Sequence, residues 1–338
     1  MRNYKCLSIF KFESDNFHLE PIREEDKYEI LEIRNQQLYH LRQAELLTKE
    51  KQENYFSNVV ASLFEQEKPN QLLFSFFEND KFIGYGGLVH INWVDKNAEI
   101  SFVMKTELEK QRFDEIWGKY LILLEKVAFD NLNFHKIFTY AFDLRPHLYK
   151  ALEFSGFKEE ARLKEHCFFE NKYLDVVYHC KINRTITFRK ANESDLMLYF
   201  DWTNDETVRE NSYKSEPISL ENHSNWFKNK INDVDCMMLV FENHLNQPIG
   251  QVRIQKQNEK LALIGISNDS IHRGKGYASK MIALASKEFL NQNHDFCLSA
   301  YIKLENTSSE KAFEKAGYQL DVVTYYEEIP SYHYIMKI

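Results

Sequence analysis

Hydrophobic residues recur along the chain with two spacings, and the order of those spacings is the same in each half. Short runs that are apolar, or that alternate with polar residues, predict strands, whereas apolar residues three or four positions apart predict helices. Strands are predicted at 71–78, 82–93, 97–104 and 135–142 in the first half and at 236–243, 247–256, 261–268 and 296–302 in the second. Long helices are predicted at 114–131 and 276–291. This order predicts an α/β fold, with a mixed (α+β) sheet in each half.

The two halves also share glycine positions, which is informative because the chain has only ten glycines. The segment "FIGYGGLVHI" (82–91) resembles "PIGQVRIQ" (248–255). A predicted helix that ends in a glycine and an aromatic residue recurs around Gly156 and Gly317. Between them, "NAEISFVM" (97–104) aligns with "LALIGISN" (261–268). Three such matches in the same order at a nearly constant offset predict two copies of one domain.

The join between the copies is predicted near residues 179–196, where one alternating strand ends and another begins. We therefore expect a first domain over residues 17–183 and a second over residues 184–338. Residues 1–16 form an additional N-terminal arm, in which "CLSIFKF" (6–12) alternates like an edge strand.

Composition and charge narrow the possible classes of protein. The 338 residues carry a formal charge of −8, which argues against nucleic-acid binding, since such proteins normally present a basic face. Five scattered cysteines form no C-x-x-C pair, so we expect neither a metal site nor a disulfide framework, and a reducing cytoplasm fits best. No apolar run is long enough for a signal peptide or a membrane span, which predicts a soluble protein that does not bind membranes.

One turn of the second half, "IHRGKGYASKMI" (271–282), places two glycines around a lysine between a predicted strand and a long helix. Backbone N–H groups in the first turn of a helix lack partners within the helix, so such a turn favours an anion. The turn resembles the Q/R-x-x-G-x-G/A acetyl-CoA signature of the GCN5-related N-acetyltransferase (GNAT) superfamily, here Arg273, Gly276 and Ala278. The segment "YIKLENTSSEKAFEKAGY" (301–318) resembles a second motif of that family.

The resemblance implies two tandem GNAT-type acyltransferase domains and transfer of an acetyl group from acetyl-CoA, as a co-substrate, to an amine without a metal. Backbone amides of the fourth strand would polarise the acetyl carbonyl, and those of the turn would hold the pyrophosphate. Asn306 would contact the pantetheine arm, or it would simply cap its helix. The implied CoA-binding residues are Ile266, Ser267, Asn268, Arg273, Gly274, Lys275, Gly276, Tyr277, Ala278, Asn306 and Ser309.

The first copy departs from this pattern, although it resembles the ribosomal-protein N-terminal acetyltransferase branch of the family. Its segment "TELEKQRFDEIWGKYL" (106–121) contains no G-x-G or G-x-A. Asp114 and Glu115 stand where the pyrophosphate would lie, and like charges repel there. We therefore expect the first domain to have lost or altered CoA binding.

The usual catalytic groups of the family are divided between the copies. A glutamate of the fourth strand, often the base, corresponds to Glu99 in the first copy, whereas the second copy has Leu263. Phe313 replaces the tyrosine that protonates the thiolate in many relatives. His223 could take the amine proton, although a lone histidine is often structural. The nearby tyrosines are Tyr301, Tyr318, Tyr325 and Tyr326.

The acceptor is indicated by "FDWTNDETVRENSYKSEPISLENHSNWF" (200–227). This segment resembles acetyltransferases of bacterial amino-sugar pathways such as pseudaminic acid biosynthesis, whose acceptor is a 4-amino group on a nucleotide-linked deoxysugar. Aromatic side chains with Arg and Asn suit a sugar and an anionic diphosphate, but the aromatic residues could instead belong to the core. The implied acceptor-binding residues are Trp202, Asn204, Arg209 and Trp226.

Three functions follow in order of preference. The first is a cytoplasmic N-acetyltransferase that acts on a nucleotide-activated amino sugar for surface glycan. The second is acetylation of protein N-termini or another primary amine. The third is a non-catalytic acyl-CoA-binding or scaffolding protein, since the usual proton-transfer groups are missing from the second copy.

Overall fold

A computed structural model describes residues 2–41, 43 and 45–337 of the chain. The chain forms two compact units, Met1–Asn183 and Arg184–Ile338, and each contains one sheet. Over the described residues, each sheet has one parallel pair of neighbouring strands, and its other neighbours run antiparallel. The predicted α/β fold with a mixed sheet in each half is confirmed.

In the first unit, helices alternate with groups of strands along the chain. Its strands are β1 (Phe12–Ser14), β2 (Phe17–Pro21), β3 (Leu72–Glu78), β4 (Lys81–Asn92), β5 (Asn97–Met104), β6 (Lys136–Phe142), β7 (Lys158–Phe169) and β8 (Lys172–Ile182). Its helices are α1 (Lys27–Gln36), α2 (Lys49–Asn54), α3 (Ala61–Leu63), α4 (Thr106–Gln111), α5 (Phe113–Glu125) and α6 (Pro146–Phe154). The π-helical segments Tyr55–Val60 and Lys126–Asn131 extend α2 and α5, and a 3-10 turn at Glu24–Asp26 precedes α1. The strand order across the sheet is β1-β2-β3-β4-β5-β6-β8-β7.

The N-terminal arm corrects one expectation. The edge strand is β1, which begins at Phe12, whereas residues 6–11 form turns and bends instead of the predicted strand. Tyr4 anchors this part of the arm: its hydroxyl donates to the Leu73 carbonyl at 2.8 Å and accepts from the Leu73 amide at 3.0 Å. Its ring stacks on Phe64 with centroids 4.3 Å apart. This side-chain anchor takes the place of strand pairing.

The second unit repeats the same sequence of elements in a shorter form. Its strands are β9 (Ile186–Lys190), β10 (Cys236–Asn243), β11 (Pro248–Lys256), β12 (Leu261–Asn268), β13 (Cys297–Lys303), β14 (Gln319–Tyr326) and β15 (Ile329–Met336). Its helices are α7 (Leu196–Asn204), α8 (Glu206–Asn211), α9 (Leu220–Ile231), α10 (Tyr277–Gln292) and α11 (Thr307–Lys315), with 3-10 turns at Glu193–Asp195 and Ser270–His272. The strand order is β14-β15-β13-β12-β11-β10-β9.

The second sheet has a different environment on each face. On one face Val252 and Ile254 of β11 belong to the same core as residues of α10 and α11. On the other face Met238 and Val240 of β10 pack with residues of α7 and α9. Directly paired residues share a face of a sheet, so Arg253, the partner of Met238, lies on the α7–α9 face.

The parallel strands β12 and β13 are paired over only three residues. Leu261–Leu263 pair with Cys297–Ser299, and beyond them each strand is paired on one side only. The last five residues of β12 keep their partners in β11, and the last four of β13 keep theirs in β15. The sheet therefore opens between the two strands toward their carboxyl ends. In the first unit β5 and β6 pair over the corresponding three residues.

Gly250 lets β11 pack closely against β12 and α10 near this opening. It is paired with Asn268, the last residue of β12, as Gly84 is paired with Met104, the last residue of β5. A Cβ atom on Gly250 would lie 2.4 Å from the Ser267 carbonyl oxygen and 2.8 Å from the methyl group of Met281 in α10. Both distances are far below van der Waals contact, so only glycine fits without displacing the strand or the helix.

We expect Gly250→Ala to lower the free energy of unfolding by about 1–3 kcal/mol, because the methyl group overpacks the contact between β11, β12 and α10. The measurement is urea unfolding of the full chain. Gly265→Ala on β12 is the matched control, since no atom lies within 4 Å of its Cβ position, and it should be neutral or slightly stabilising. Equal stabilities for the two variants would contradict the packing argument.

Candidate functional site

A cleft of about 910 Å³ lies in the second unit, at the opening between β12 and β13. It is lined by the carboxyl-terminal parts of both strands, by α8, α9 and α11, and by the first turn of α10. This cleft brings together most of the site residues predicted from sequence. Those that line it are Arg209, His223, Trp226, Ile266, Ser267, Asn268, Arg273, Gly274, Gly276, Tyr277, Ala278, Asn306 and Ser309.

Residues 273–278, which we call the glycine turn, connect β12 to α10. Gly274 and Gly276 have φ angles of +71° and +77°, in the left-handed region that favours glycine. Gly276 is the N-cap of the 16-residue helix α10 and, having no side chain, makes no capping hydrogen bond to its first turn. The partial positive charge of a helix N-terminus therefore remains available at this end of the cleft.

The side chain of Arg273 is tied to the start of α8. Its Nη2 donates to Asp205 Oδ1 at 2.5 Å and to the Asn268 carbonyl at 3.2 Å. Asp205 also caps α8 by accepting from the Val208 amide at 3.1 Å. Burial opposes ionisation of Asp205, but the hydrogen bonds from Arg273 and from the Val208 amide, together with the charge of Arg273, outweigh it and hold the pKa of the carboxyl below its usual range. This ion pair fixes the glycine turn against α8.

Lys275 departs from the sequence expectation. Its side chain is exposed and is not among the residues that line the cleft. The residue lies between two glycines in left-handed conformation. Its neighbours line the cleft, whereas its own side chain does not. A cofactor role for Lys275 is thus limited to its backbone and to charge at the rim.

Beyond Leu263, every second backbone amide of β12 points into the opening between β12 and β13. The Asp269 amide donates to the Ile249 carbonyl at 3.0 Å, on the β11 side. Successive N–H groups of a strand point to opposite edges, so those of Ile266 and Asn268 point into the opening. Since β13 has already diverged there, these two donors face the cleft.

Asn306 occupies the N-cap of α11. Its Oδ1 accepts from the Ser309 amide at 3.1 Å and from the Ser308 hydroxyl at 3.1 Å. The helix-cap alternative raised from the sequence is therefore what the structure has. Asn306 nevertheless lines the cleft together with Ser308 and Ser309, so a contact with the pantetheine arm stays a prediction.

His223 is buried on α9, with only 1% of its surface exposed, and it borders the cleft. Its ring packs against Phe200 and Trp226, with centroids 5.4 Å from each. Burial lowers the pKa of the imidazole, and a hydrogen bond with the Leu196 backbone partly offsets that effect. Within the described part of the chain Nε2 has no hydrogen-bond partner. The ring is therefore oriented by the backbone and is neutral near neutral pH.

Other buried polar atoms of the cleft share this lack of a partner. Buried polar side-chain atoms usually have at least one hydrogen bond, so a group of exceptions in one place needs an explanation. A polar ligand in the cleft would satisfy all of them. Besides His223 Nε2, the atoms without a partner among the described residues are Arg209 Nε, Gln251 Oε1, Asn268 Oδ1 and His272 Nδ1.

Trp202 and Asn204 correct the expectation that they bind the acceptor, because neither lines the cleft. Trp202 is buried in the core between the sheet and α7, and its Nε1 donates to Asp269 at 3.0 Å. Asp269 in turn caps the 3-10 turn by accepting from the Ile271 amide at 3.0 Å. Asn204 donates to the Ile218 carbonyl at 3.0 Å and accepts from its amide at 2.8 Å. Both residues support segments that border the cleft.

Arg209 and Trp226 do line the cleft. Arg209 donates to the carbonyls of Lys214 and Glu216 at 3.1 and 3.3 Å and to the Ser212 hydroxyl at 2.9 Å, which orders the loop before α9. The guanidinium of Arg253 lies 5.3 Å from the ring centroid of Trp226.

The tyrosine alternatives divide clearly by position. Tyr301 and Tyr326 line the cleft and stack on each other at 4.2 Å. Tyr318 is buried and hydrogen-bonds to Ser286 at 2.8 Å, while Tyr325 is 73% exposed. Phe313 also lines the cleft, so no hydroxyl is present at the position from which many relatives supply one.

Sequence reasoning missed several cationic residues of the cleft. Six cations line it, whereas no Asp or Glu occurs among the described lining residues. The available signal for one of them, Arg253, was the polar residue at every second position of β11. Glu305 and Glu327 do not line the cleft. Burial raises the pKa of Tyr213, and the charges of these two glutamates raise it further. The cations are Arg209, Arg253, Arg273, Lys303, Lys311 and Lys315.

Glu99 lies in the first unit, on β5. It is the third residue of the parallel pairing with β6, as Leu263 is in the pairing of β12 with β13. Its Oε2 lies 2.8 Å from His90 Nδ1. The sequence alignment of Glu99 with Leu263 therefore matches their positions in the two sheets.

The first unit has no glycine turn between β5 and α5; α4 occupies that connection. Arg112, the N-cap of α5, donates to Glu78 at 2.8 and 2.9 Å and to Glu115 at 2.6 and 2.9 Å. The rings of Phe113 and His147, at the starts of α5 and α6, lie 4.4 Å apart. Charged and aromatic side chains of the unit itself thus join the two helix starts.

Glu109 of α4 completes this arrangement. It accepts from Tyr39 at 2.7 Å and from Arg145 at 3.1 Å, and its Oε2 lies 3.6 Å from His40 Nε2. Burial opposes ionisation, but the hydrogen bonds from His40 and Tyr39 and the charge of Arg145 outweigh it and lower the pKa of Glu109 to about 2. Arg145 is the N-cap of α6, the position that Asn306 has in α11.

The described residues contain no group of three or more His, Cys, Asp and Glu side chains placed to hold a metal ion. They also contain no helix with the length and apolar character needed to cross a membrane.

Comparisons with solved structures give relatives of low similarity. A spermidine N-acetyltransferase from Vibrio cholerae, in complex with CoA and spermine, is 18% identical and covers 45% of this chain and 94% of its own, with a TM-score of 0.41. The aminoglycoside acetyltransferase AAC(6')-Ib in complex with coenzyme A is 15% identical and covers 45% and 95%, with a TM-score of 0.40. A domain from Methanocaldococcus jannaschii is 21% identical and covers 46% and 100%, with a TM-score of 0.41.

Among curated proteins, an uncharacterized protein of Methanocaldococcus jannaschii is 27% identical over 148 residues. The match covers 42% of this chain and 30% of the length of that relative. Two family models, each describing an acetyltransferase (GNAT) domain, match residues 19–178 and residues 185–319. Together these two matches span most of the chain and follow its two sheets, so the chain belongs to the GNAT acetyltransferases and carries two domains of that family in tandem.

Proposed function

We propose that the second unit transfers an acetyl group from acetyl-CoA to an amine. The observation that carries the proposal is the position of the glycine turn at one end of the opening between β12 and β13. Gly274 and Gly276 leave the N-terminus of α10 accessible to a pyrophosphate, and Asn306 and Ser309 border the path that a pantetheine arm would take. The Ile266 and Asn268 amides are the donors for the acetyl carbonyl.

His223 is the proposed base. Acetyl transfer requires a neutral amine, and the amine loses a proton as it attacks the thioester carbonyl. Leu263 offers no carboxylate on β12, whereas His223 borders the cleft with an unpartnered Nε2 and a pKa lowered by burial. The proton therefore passes from the amine to Nε2. Tyr301 and Tyr326, two of the tyrosines that line the cleft, are the proposed donors of a proton to the leaving thiolate.

The proposed acceptor is an amino sugar linked to a nucleotide diphosphate. Its support is chemical: the cleft combines aromatic side chains, which suit a sugar ring, with cations and no acid among its described lining residues. Amines that are themselves polycations fit such a lining poorly. Five free cysteines fit a reducing cytoplasm, where acetyl-CoA and nucleotide sugars are present.

The first unit is proposed to support the protein without binding CoA. At the connection where the second unit has its glycine turn, the first unit has α4, the Arg112 ion pairs and Glu109. Acidic residues in the first turn of α5 already complement the helix dipole. A pyrophosphate would have to displace these internal partners and then face their carboxylates.

We expect the full chain to bind one CoA per molecule, and Gly276→Glu to weaken that binding by at least about tenfold, since the carboxylate repels the pyrophosphate and φ +77° strains the side chain. Isothermal titration calorimetry gives both the stoichiometry and the affinity. Gly276→Asn, which tolerates left-handed φ and adds no charge, should lose less. Gly118→Glu in α5 is the control for an added acid in open space. Two CoA per chain, or unchanged affinity in Gly276→Glu, would refute the assignment.

We expect release of CoA from acetyl-CoA with 4-amino sugars linked to UDP or dTDP, because their diphosphates match the cations of the cleft. Peptides with free N-termini and spermidine are the comparison acceptors, and thiol release is the measurement. A preference for peptides would favour the second function considered from sequence. No turnover with any amine, despite CoA binding, would favour a non-catalytic CoA-binding protein.

We expect His223→Gln to lower kcat by about 10²–10⁴ near neutral pH, since glutamine keeps a hydrogen-bonding side chain on α9 but cannot accept the amine proton. Because burial lowers the pKa of His223, the acidic limb of kcat/KM should lie below about 6.5 and should vanish in the variant. The loss should shrink at high pH, where the amine deprotonates unaided. His294→Gln, at an exposed histidine outside the cleft, is the control. A raised KM with unchanged kcat would instead indicate acceptor binding.

A further inference from the structure

Arg253 is an unpaired cation on the central strand β11. No described residue forms a hydrogen bond or an ion pair with its half-buried guanidinium, which lies over the Trp226 ring at 5.3 Å. Two other arginines of the second unit form ion pairs: Arg189 with Asp195 at 2.7 Å and Arg273 with Asp205 at 2.5 Å. A partly desolvated charge without a counter-charge is unfavourable unless a ligand supplies one.

The space in front of Arg253 is open. Its partner across β11 and β12 is Gly265, and directly paired residues share one face of the sheet. A Cβ atom on Gly265 would have no atom within 4 Å, and Gly265 borders the opening between β12 and β13. Glycine at this position therefore leaves the guanidinium accessible from the cleft.

Two further cations border the same cleft without a carboxylate partner among the described residues. Lys303 of β13 is buried, and its Nζ donates to the Glu210 carbonyl at 2.8 Å, which leaves two of its three donors without a hydrogen bond to the described residues. Arg209, next to Glu210 on α8, keeps its buried Nε without a partner. The hydrogen bond from Lys303 to Glu210 ties these two residues to one region of the cleft wall.

We propose that Arg253, with Arg209 and Lys303, binds the phosphate groups of the acceptor at a subsite separate from the glycine turn. The proposal rests on the proposed function, because it assigns the acceptor end of that same cleft. The contact with the Trp226 ring restrains the guanidinium, and a restrained guanidinium can contact two phosphate oxygens at once. The subsite selects acceptors that carry anions and disfavours cationic amines.

The subsite is distinguished from the CoA end by the elements that form it. Arg253 and Trp226 belong to β11 and α9, on the α7–α9 face of the sheet. The glycine turn, Lys311 and Lys315 belong to the loop before α10 and to α11. A nucleoside diphosphate should therefore bind to protein that is already saturated with CoA.

The test is calorimetric titration of UDP into the full chain saturated with CoA. We expect binding to the wild type, a loss of affinity of about 10- to 100-fold in Arg253→Ala, and a smaller loss in Arg253→Lys, which keeps the charge but not the planar fork. Lys256→Ala is the matched control, because it removes a cation of the same strand outside the cleft. CoA affinity should be the same in all four proteins.

Several results would overturn the subsite. They are absence of UDP binding to the CoA-saturated wild type, unchanged UDP affinity in Arg253→Ala, and an equal loss in Lys256→Ala. Glutarate binding as tightly as UDP would show a carboxylate site and overturn the phosphate assignment. If the wild type bound UDP in the absence of CoA but did not bind CoA, the anion site would stand and the proposed acetyl transfer would fail.

Discussion

The divergence of two parallel strands is the constraint on which the candidate site depends. β12 and β13 share hydrogen bonds over only three residues, and the unpaired edges beyond Leu263 and Ser299 cannot be covered by a neighbouring strand. Exposed N–H groups of a sheet edge need other partners, and a ligand that lies between the strands supplies them. The cleft, the inward amides of β12 and the position of the glycine turn all follow from this one break in pairing.

The two units share the opening of the sheet and differ in the connection that follows it. Both sheets open after three parallel pairs, and Glu99 and Leu263 stand at the same position of that pairing. The difference lies in the connection that follows. Two left-handed glycines lead directly into α10, whereas the first unit inserts α4 and joins its helix starts through Arg112, Glu109 and Arg145. An internal ion-pair network thus stands where the second unit leaves a helix N-terminus free.

The sequence predicted those parts of the structure that depend on contiguous residues. The apolar run of β12 and the helical spacing in α10 are local patterns, and the glycine turn and the cap at Asn306 are short motifs. The core position of Trp202 could not be predicted, because a tryptophan on an amphipathic helix has the same pattern whether it faces the core or a cleft. The hydrogen bond from Trp202 to Asp269, which is distant in the sequence, holds the indole in the core. The strand expected in "CLSIFKF" failed for the same reason, since Tyr4 anchors the arm through Leu73.

The accessible position of Arg253 in the cleft likewise could not be predicted from the sequence. Polar residues at every second position of β11 indicate a face that the core does not cover, but the access to Arg253 on that face depends on Gly265 of β12 and on Trp226 of α9. Only the assembled sheet brings those three residues together. The chain as a whole carries a charge of −8, yet the described lining of the cleft is cationic, so the overall charge does not indicate the charge that the cleft presents. Local charge in a confined space determines which molecule enters, because the low-dielectric walls strengthen it there.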